Sequence, residues 1–272
     1  MDLEAAVTHA RQGDRQALGR LVEAIQDDLY RLALRMLYHP QDAEDATQEV
    51  LIKIVTNLAG FRGESSFKTW AYRVACNHLL TTRRRRAERW ELSFEACEAM
   101  ISAAAAEGVG TWAEGESQVL VKEMRLWCMQ GMLLCLDRKC RMAFLLGTVF
   151  EMTGSEAAEV LEIPAATYRK RLSRARAEMC GFMTRHCGLM RQGNPCQCAR
   201  QLPATVQAGL IKPERLLFAT HPVRERIERA GEELVGDLDE LGLMTSLFRD
   251  HPNYAAPDSI VEGLRKTLGQ SA

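Results

Sequence analysis

Apolar residues recurring at three- and four-residue intervals set the first constraint on this 272-residue chain. Leu18, Leu21, Val22, Ile25, Leu29, Leu32, Ala33, Met36 and Leu37 fall on one stripe of a helix with 3.6 residues per turn. Gly13 and Asp14 separate it from a shorter helix starting near Leu3, and His39-Pro40 ends it, because proline drives its predecessor out of the helical region. A further helix is expected from near Gln41 to Leu58, carrying Ala43, Ala46, Val50, Leu51, Ile54 and Val55. After a loop from Gly60 to Ser65, Phe67 to about Arg86 is helical again, with Trp70, Val74, Leu79 and Leu80 on its apolar side. Nothing in this half alternates apolar and polar residues as a strand would, so the expected fold is all-α. With 47% hydrophobic and 26% charged residues the chain is globular rather than disordered. It has no apolar run of about 18 residues, so membrane insertion is not expected.

The second half changes character twice. Residues 91–116 contain six Glu, no base, an Ala run from Ala103 to Ala106, and Gly108, Gly110 and Gly115, which predicts a flexible acidic linker with weak helical content. Helical periodicity resumes over 117–185. There, Met152 to Leu161, a tight turn at Glu162-Ile163-Pro164, and Ala165 to Met183 predict helix, turn, helix, with Pro164 in the first turn of the second helix. Two more helical stretches, about Arg224–Phe248 and Ser259–Leu268, close the chain.

Net charge is −1, from 35 Lys and Arg against 36 Asp and Glu, but the charges are unevenly placed. Residues 61–90 carry +6, with Arg83 and Arg84 opening a four-arginine run, and residues 162–200 carry another +6. Residues 1–60 carry −4 and 201–272 carry −3. Two basic islands in an acidic chain fit contact with a polyanion at two separate places.

Three constellations sit on these helices. Asp42, Asp45 and Glu49 share a polar face beside Gln48, a stripe that either meets a basic partner or simply complements the helix dipole. Trp70, Arg73 and Asn77 lie on one helix before the arginine run; interleaved rings and bases suit unstacked single-stranded DNA, although Trp70 and Val74 also read as core. The second helix of the helix-turn-helix presents Arg169, Lys170, Ser173 and Arg174 on one side, opposite Leu172 and Ala175.

The segments "DAEDATQEV", "FRGESSFKTWAYRVACN", "RRRR" and "MTGSEAAEVLEIPAATYRKRLSRARAEM" together resemble bacterial RNA polymerase sigma factors of the extracytoplasmic-function group of the sigma-70 family, over about residues 1–185. The resemblance implies two small helical domains, at 1–90 and 117–185, joined by the 91–116 linker and followed by a 186–272 extension that could be regulatory. It implies core RNA polymerase and promoter DNA as partners, with no cofactor required and no enzymatic activity. In this family the helix matching Asp42–Ile54 docks on the clamp helices of the largest polymerase subunit, which makes Asp45, Gln48 and Glu49 the expected contacts. The Phe61–Asn77 segment matches the part that captures a −10 element base, with Asn77 at the base-contacting position. Arg169, Lys170, Ser173 and Arg174 would enter the −35 major groove, and Arg171 and Arg176, with Arg83 and Arg84, would contact phosphate. Ala157 and Tyr168 depart from the common branched residue and Val at their positions, so different packing is expected there. The competing reading is a stand-alone helix-turn-helix regulator with a sensing C-terminal module; the acidic Asp42–Glu49 helix and the Trp70–Asn77 segment argue against it.

In the extension, Cys187, Cys196 and Cys198, with His186 or Cys180, could supply zinc ligands, a redox site, or neither. Nine cysteines without a secretory signal suit a reducing cytoplasm. An acidic helix over Glu225–Leu247 could fold back onto the basic reading helix as an intramolecular inhibitor, and an anti-sigma factor is the alternative inhibitory partner.

Overall fold

A computed structural model describes residues 3–82, 92–106, 114–223 and 239–267. Twelve α-helices are present among the described residues, whose extended backbone is confined to two isolated bridges. Helix α1 (Leu3–Arg11) leads into α2 (Arg15–Leu37), where Asp14 caps the N-terminus by accepting from the Gln16 and Ala17 amides at 2.8 and 3.1 Å. The stripe read from the sequence faces inward, and Leu21, Ile25, Leu29, Leu32, Met36 and Leu37 are all buried. Pro40 does more than stop α2. It is the first residue of α3 (Pro40–Thr56), where a proline's missing N–H costs nothing. The reversal between the two helices is made by Tyr38 at φ 72°. This is a left-handed conformation rare for an aromatic residue, held by burial of the ring against Phe218.

Helix α4 (Phe67–Thr81) is capped by Ser66, which accepts from the Thr69 amide at 3.1 Å. Its buried apolar face is Phe67, Ala71, Tyr72, Ala75, Cys76 and Leu79, so of the expected stripe Leu79 is core while Trp70, Val74 and Leu80 lie at its margin. Trp70 and Val74 are only half-buried. Part of the expected linker is an ordered helix, α5 (Phe94–Ala106), and α6 (Glu114–Cys135) follows. Then come α7 (Arg138–Phe144), a π-helical segment at Leu145–Val149, α8 (Gly154–Val160) and α9 (Ala165–His186). The extension supplies α10 (Cys198–Gln207), α11 (Glu240–Arg249) and α12 (Asp258–Thr267). Periodicity did not reveal α10, which carries Pro203 in its interior. Of the expected Arg224–Phe248 helix, residues 224–238 lie outside the described residues.

One hydrophobic core runs through both halves and into the extension. The guanidinium of Arg141, buried on α7, donates to the carbonyls of Met36 at 2.6 Å and Leu136 at 3.1 Å, tying α2 to the α6–α7 turn. Gln130 of α6 donates to the Leu34 carbonyl, and Cys76 of α4 lies against Met142 of α7. The extension is anchored by Glu123 on α6. Its buried carboxylate accepts the backbone N–H groups of Leu217, Phe218 and Ala219 at 2.8, 3.0 and 2.6 Å. A charged acceptor satisfying three amides is among the stronger polar anchors a buried loop can have.

Candidate nucleic-acid and polymerase interface

The helix-turn-helix is built from α8 and α9. Thr153 and Glu156 form a reciprocal capping box at the start of α8, with the Thr153 amide donating to Glu156 Oε2 at 2.8 Å. Glu162 turns the chain at φ 51°, and Pro164 is the N-cap of α9, one position before the first-turn place expected for it. Arg169, Lys170, Ser173 and Arg174 are all exposed. Arg174 Nε lies 2.8 Å from Glu178 Oε1 one turn on, an exposed pair that solvent screens. Arg171 is half-buried. Arg176 is turned back onto the π segment, donating to Thr148 Oγ1 and the Gly147 carbonyl, both at 3.1 Å. In this conformation it braces the motif rather than reaching outward.

Both departures from the family pattern are buried, Ala157 fully. The Tyr168 hydroxyl donates to the Ala143 carbonyl at 3.4 Å. Room for the ring comes from Gly147, where an added Cβ would stand 2.3 Å from the Tyr168 hydroxyl.

On α4, Asn77 is exposed, Arg73 is half-buried, and Trp70 packs between Phe61 and Phe67 at centroid distances of 5.5 and 6.0 Å. This face meets the helix-turn-helix. Arg73 Nη2 lies 3.3 Å from Glu159 Oε1, its Nε 3.8 Å from Glu162 Oε1, and Asn77 Nδ2 donates to Glu162 Oε2 at 3.4 Å. Glu159 and Glu162 were not anticipated as partners, since nothing local links positions 86 and 85 residues apart. Arg83 and Arg84 lie outside the described residues.

On α3, Asp45 and Glu49 are exposed while Asp42 is buried, so the acidic stripe is narrower than its spacing implied. Glu49 Oε2 stands 3.3 Å from His78 Nε2, and Lys53 Nζ is 2.7 Å from the other ring nitrogen. The adjoining face is covered by α12. Ser259 Oγ donates to Glu44 Oε2 at 3.3 Å, Gly263 lies against the Gln48 amide, and Ile260 and Leu264 are buried.

Of the acidic helix expected over Glu225–Leu247, residues 225–238 lie outside the described residues; the C-terminal part, in α11, packs at the far end of α9, where Glu240 accepts from Thr184 at 3.2 Å and pairs with Arg191. The zinc set of Cys187, Cys196 and Cys198 is not assembled; among the described residues no group of three or more His, Cys, Asp or Glu could hold a metal ion. Cys187 and Cys196 meet through a backbone bridge, while Cys180 turns to Thr184 and His186 stacks on Phe182. Burial raises all three thiols, Cys196 to about 12, with the neighbouring Cys187 and Cys198 adding to the shift at Cys196.

Among the described residues no helix is long and apolar enough to cross a membrane. Family models for sigma-70 region 2 and sigma-70 region 4 match residues 21–89 and 126–179. The ECF RNA polymerase sigma factor SigW of Bacillus subtilis is 29% identical over 65% of this chain and 94% of its own. The ECF RNA polymerase sigma-E factors of Haemophilus influenzae and Escherichia coli are each 30% identical over 64% of this chain and 90% of their own. The solved structure of CnrH in complex with the cytosolic domain of CnrY matches 66% of this chain and 95% of that one, at 23% identity and a TM-score of 0.46. The chain belongs to the extracytoplasmic-function sigma factors, non-enzymatic subunits that recognise promoters for RNA polymerase.

Proposed function

We propose that α3 docks on core polymerase through Asp45, Gln48 and Glu49, that α4 reads the −10 element through Trp70, Arg73 and Asn77, and that α9 reads the −35 element. In this reading Arg169, Lys170, Ser173 and Arg174 face base edges, and Arg171, Arg83 and Arg84 face phosphate. Residues 1–90 and 117–185 act as the two reading domains, 91–116 as the connection between them, and 186–272 as a regulatory extension. The protein works in the cytoplasm and needs no cofactor. The observation that carries this is the exposure of four polar side chains on one side of α9, directly after the turn.

The chain is closed against its own function. Glu159 and Glu162 occupy the −10-reading side chains, and α12 covers the flank of α3 that holds Gln48. Opening therefore accompanies assembly with polymerase, and the extension acts as a built-in inhibitor in the place an anti-sigma factor would take. Reconstitution with core polymerase on a genomic promoter library tests the whole reading. Core-dependent initiation at sites sharing −35 and −10 elements is expected; absence of core-dependent transcription, even after α12 is displaced, would refute it.

A further inference from the structure

Cys97 of α5 and Cys135, the last residue of α6, place their Sγ atoms 3.7 Å apart although 38 positions separate them. Both are half-buried free thiols. The bond length of a disulfide is about 2.05 Å, so closure needs an approach of less than about 2 Å. Cys135 is the last residue of α6, directly before the turn at Leu136-Asp137. A largely apolar cavity of about 440 Å³ borders Cys97, Cys128 and Cys196 and gives a small oxidant a route to Cys97. Helix α5 is already seated on α9, with Phe94 stacked on Phe182 at 5.0 Å and Glu98 3.7 Å from His186.

We propose that Cys97 and Cys135 are a redox latch: hydrogen peroxide converts them to a disulfide that fastens the inter-domain helix α5 to α6 in the closed chain. The Cys97 thiolate attacks a peroxide oxygen, forming a sulfenic acid and, after proton uptake, releasing one water. Cys135 then attacks the sulfenic sulfur and expels the second oxygen as water. Two thiols lose two electrons and two protons, and one peroxide becomes two waters. The thiol–thiol hydrogen bond lowers the pKa of Cys97 and raises that of Cys135, which makes Cys97 the first nucleophile.

The bond itself follows from the geometry. Its consequence rests on the reading of 91–116 as a connection that must come free for polymerase to be engaged; a covalent tie at Cys97 holds it in place. The full chain, reduced and then treated with hydrogen peroxide, is mapped by non-reducing peptide mass spectrometry while its core-dependent transcription is measured in parallel. A Cys97–Cys135 cross-linked peptide is expected, with loss of transcription that dithiothreitol restores. Cys97→Ser and Cys135→Ser should keep their transcription under the same oxidant. Failure to form that peptide in a chain with native circular dichroism overturns the pair, and a cross-linked chain with unchanged transcription overturns the latch. A reduced chain that never transcribes refutes the sigma-factor roles instead, and the peptide map still decides the bond.

Discussion

Tyr168 and Gly147 show how far a single position can be read. The unusual identity of Tyr168 is visible in the sequence, but the compensating glycine is not, because Gly147 lies on a π segment that no periodic signal announces. Gly147→Ala forces a methyl against the Tyr168 hydroxyl and against Leu172 Cδ2 at 2.9 Å, and a rigid phenol ring cannot swing clear. Urea denaturation should show a loss of about 1–3 kcal/mol, the usual cost of overpacking; no change would mean that the ring is not confined as described. Arg174 is the sharper functional probe. Arg174→Ala should weaken discrimination between correct and mismatched −35 sequences by about 1–3 kcal/mol in competitive binding, whereas equal loss on all sequences would make it a phosphate contact. The resemblance implies a phosphate contact for Arg176, and its tie to Thr148 and Gly147 illustrates why a position on a helix does not say where a long side chain goes.

At the scale of elements, helices were legible wherever a core stripe repeated, as in α2, α3 and α9, because burial of one face imposes the 3.6 period. Partners between elements were not. Nothing local says that α12 lies on α3, or that α11 meets the end of α9 rather than its reading face. Between α11 and α12, Tyr254 is buried among Phe218, His221 and His251, a cluster drawn from two distant segments. Burial holds His221 and His251 below the ordinary imidazole range, with Glu44 opposing the shift at His221 and the charges of Arg35 and Arg125 adding to it at His251. Their folded pKa values lie below the unfolded value of about 6.5, so the unfolded chain takes up protons first. Their stabilisation is therefore full above about pH 6.5 and declines as pH falls below it. The midpoint of thermal unfolding should drop between about pH 7.5 and 5.5, with the amides around Ala255 among the first to lose hydrogen-exchange protection. A flat profile would contradict this placement of the two rings.

At the scale of the molecule, the family was legible because its motifs are ordered and local. The closed state was not, because it depends on contacts such as Arg73–Glu159, Arg141–Met36 and Glu123–Phe218, which span 86 to 105 residues. Under the proposed function these contacts give a near-neutral chain its logic: Glu159 and Glu162 occupy Arg73 and Asn77 until polymerase replaces them, and α12 shields part of the proposed docking surface. Burial of Ile260 and Leu264 stabilises that shield by about 1.5–3 kcal/mol each. The most direct test is the affinity of core RNA polymerase for the full chain and for the Ile260→Glu, Leu264→Glu double variant, measured at one salt concentration. Displacing α12 should tighten binding by about tenfold or more, since about 1.4 kcal/mol of relieved masking is a factor of ten. Equal or weaker binding by a variant whose α3 remains folded would contradict the account.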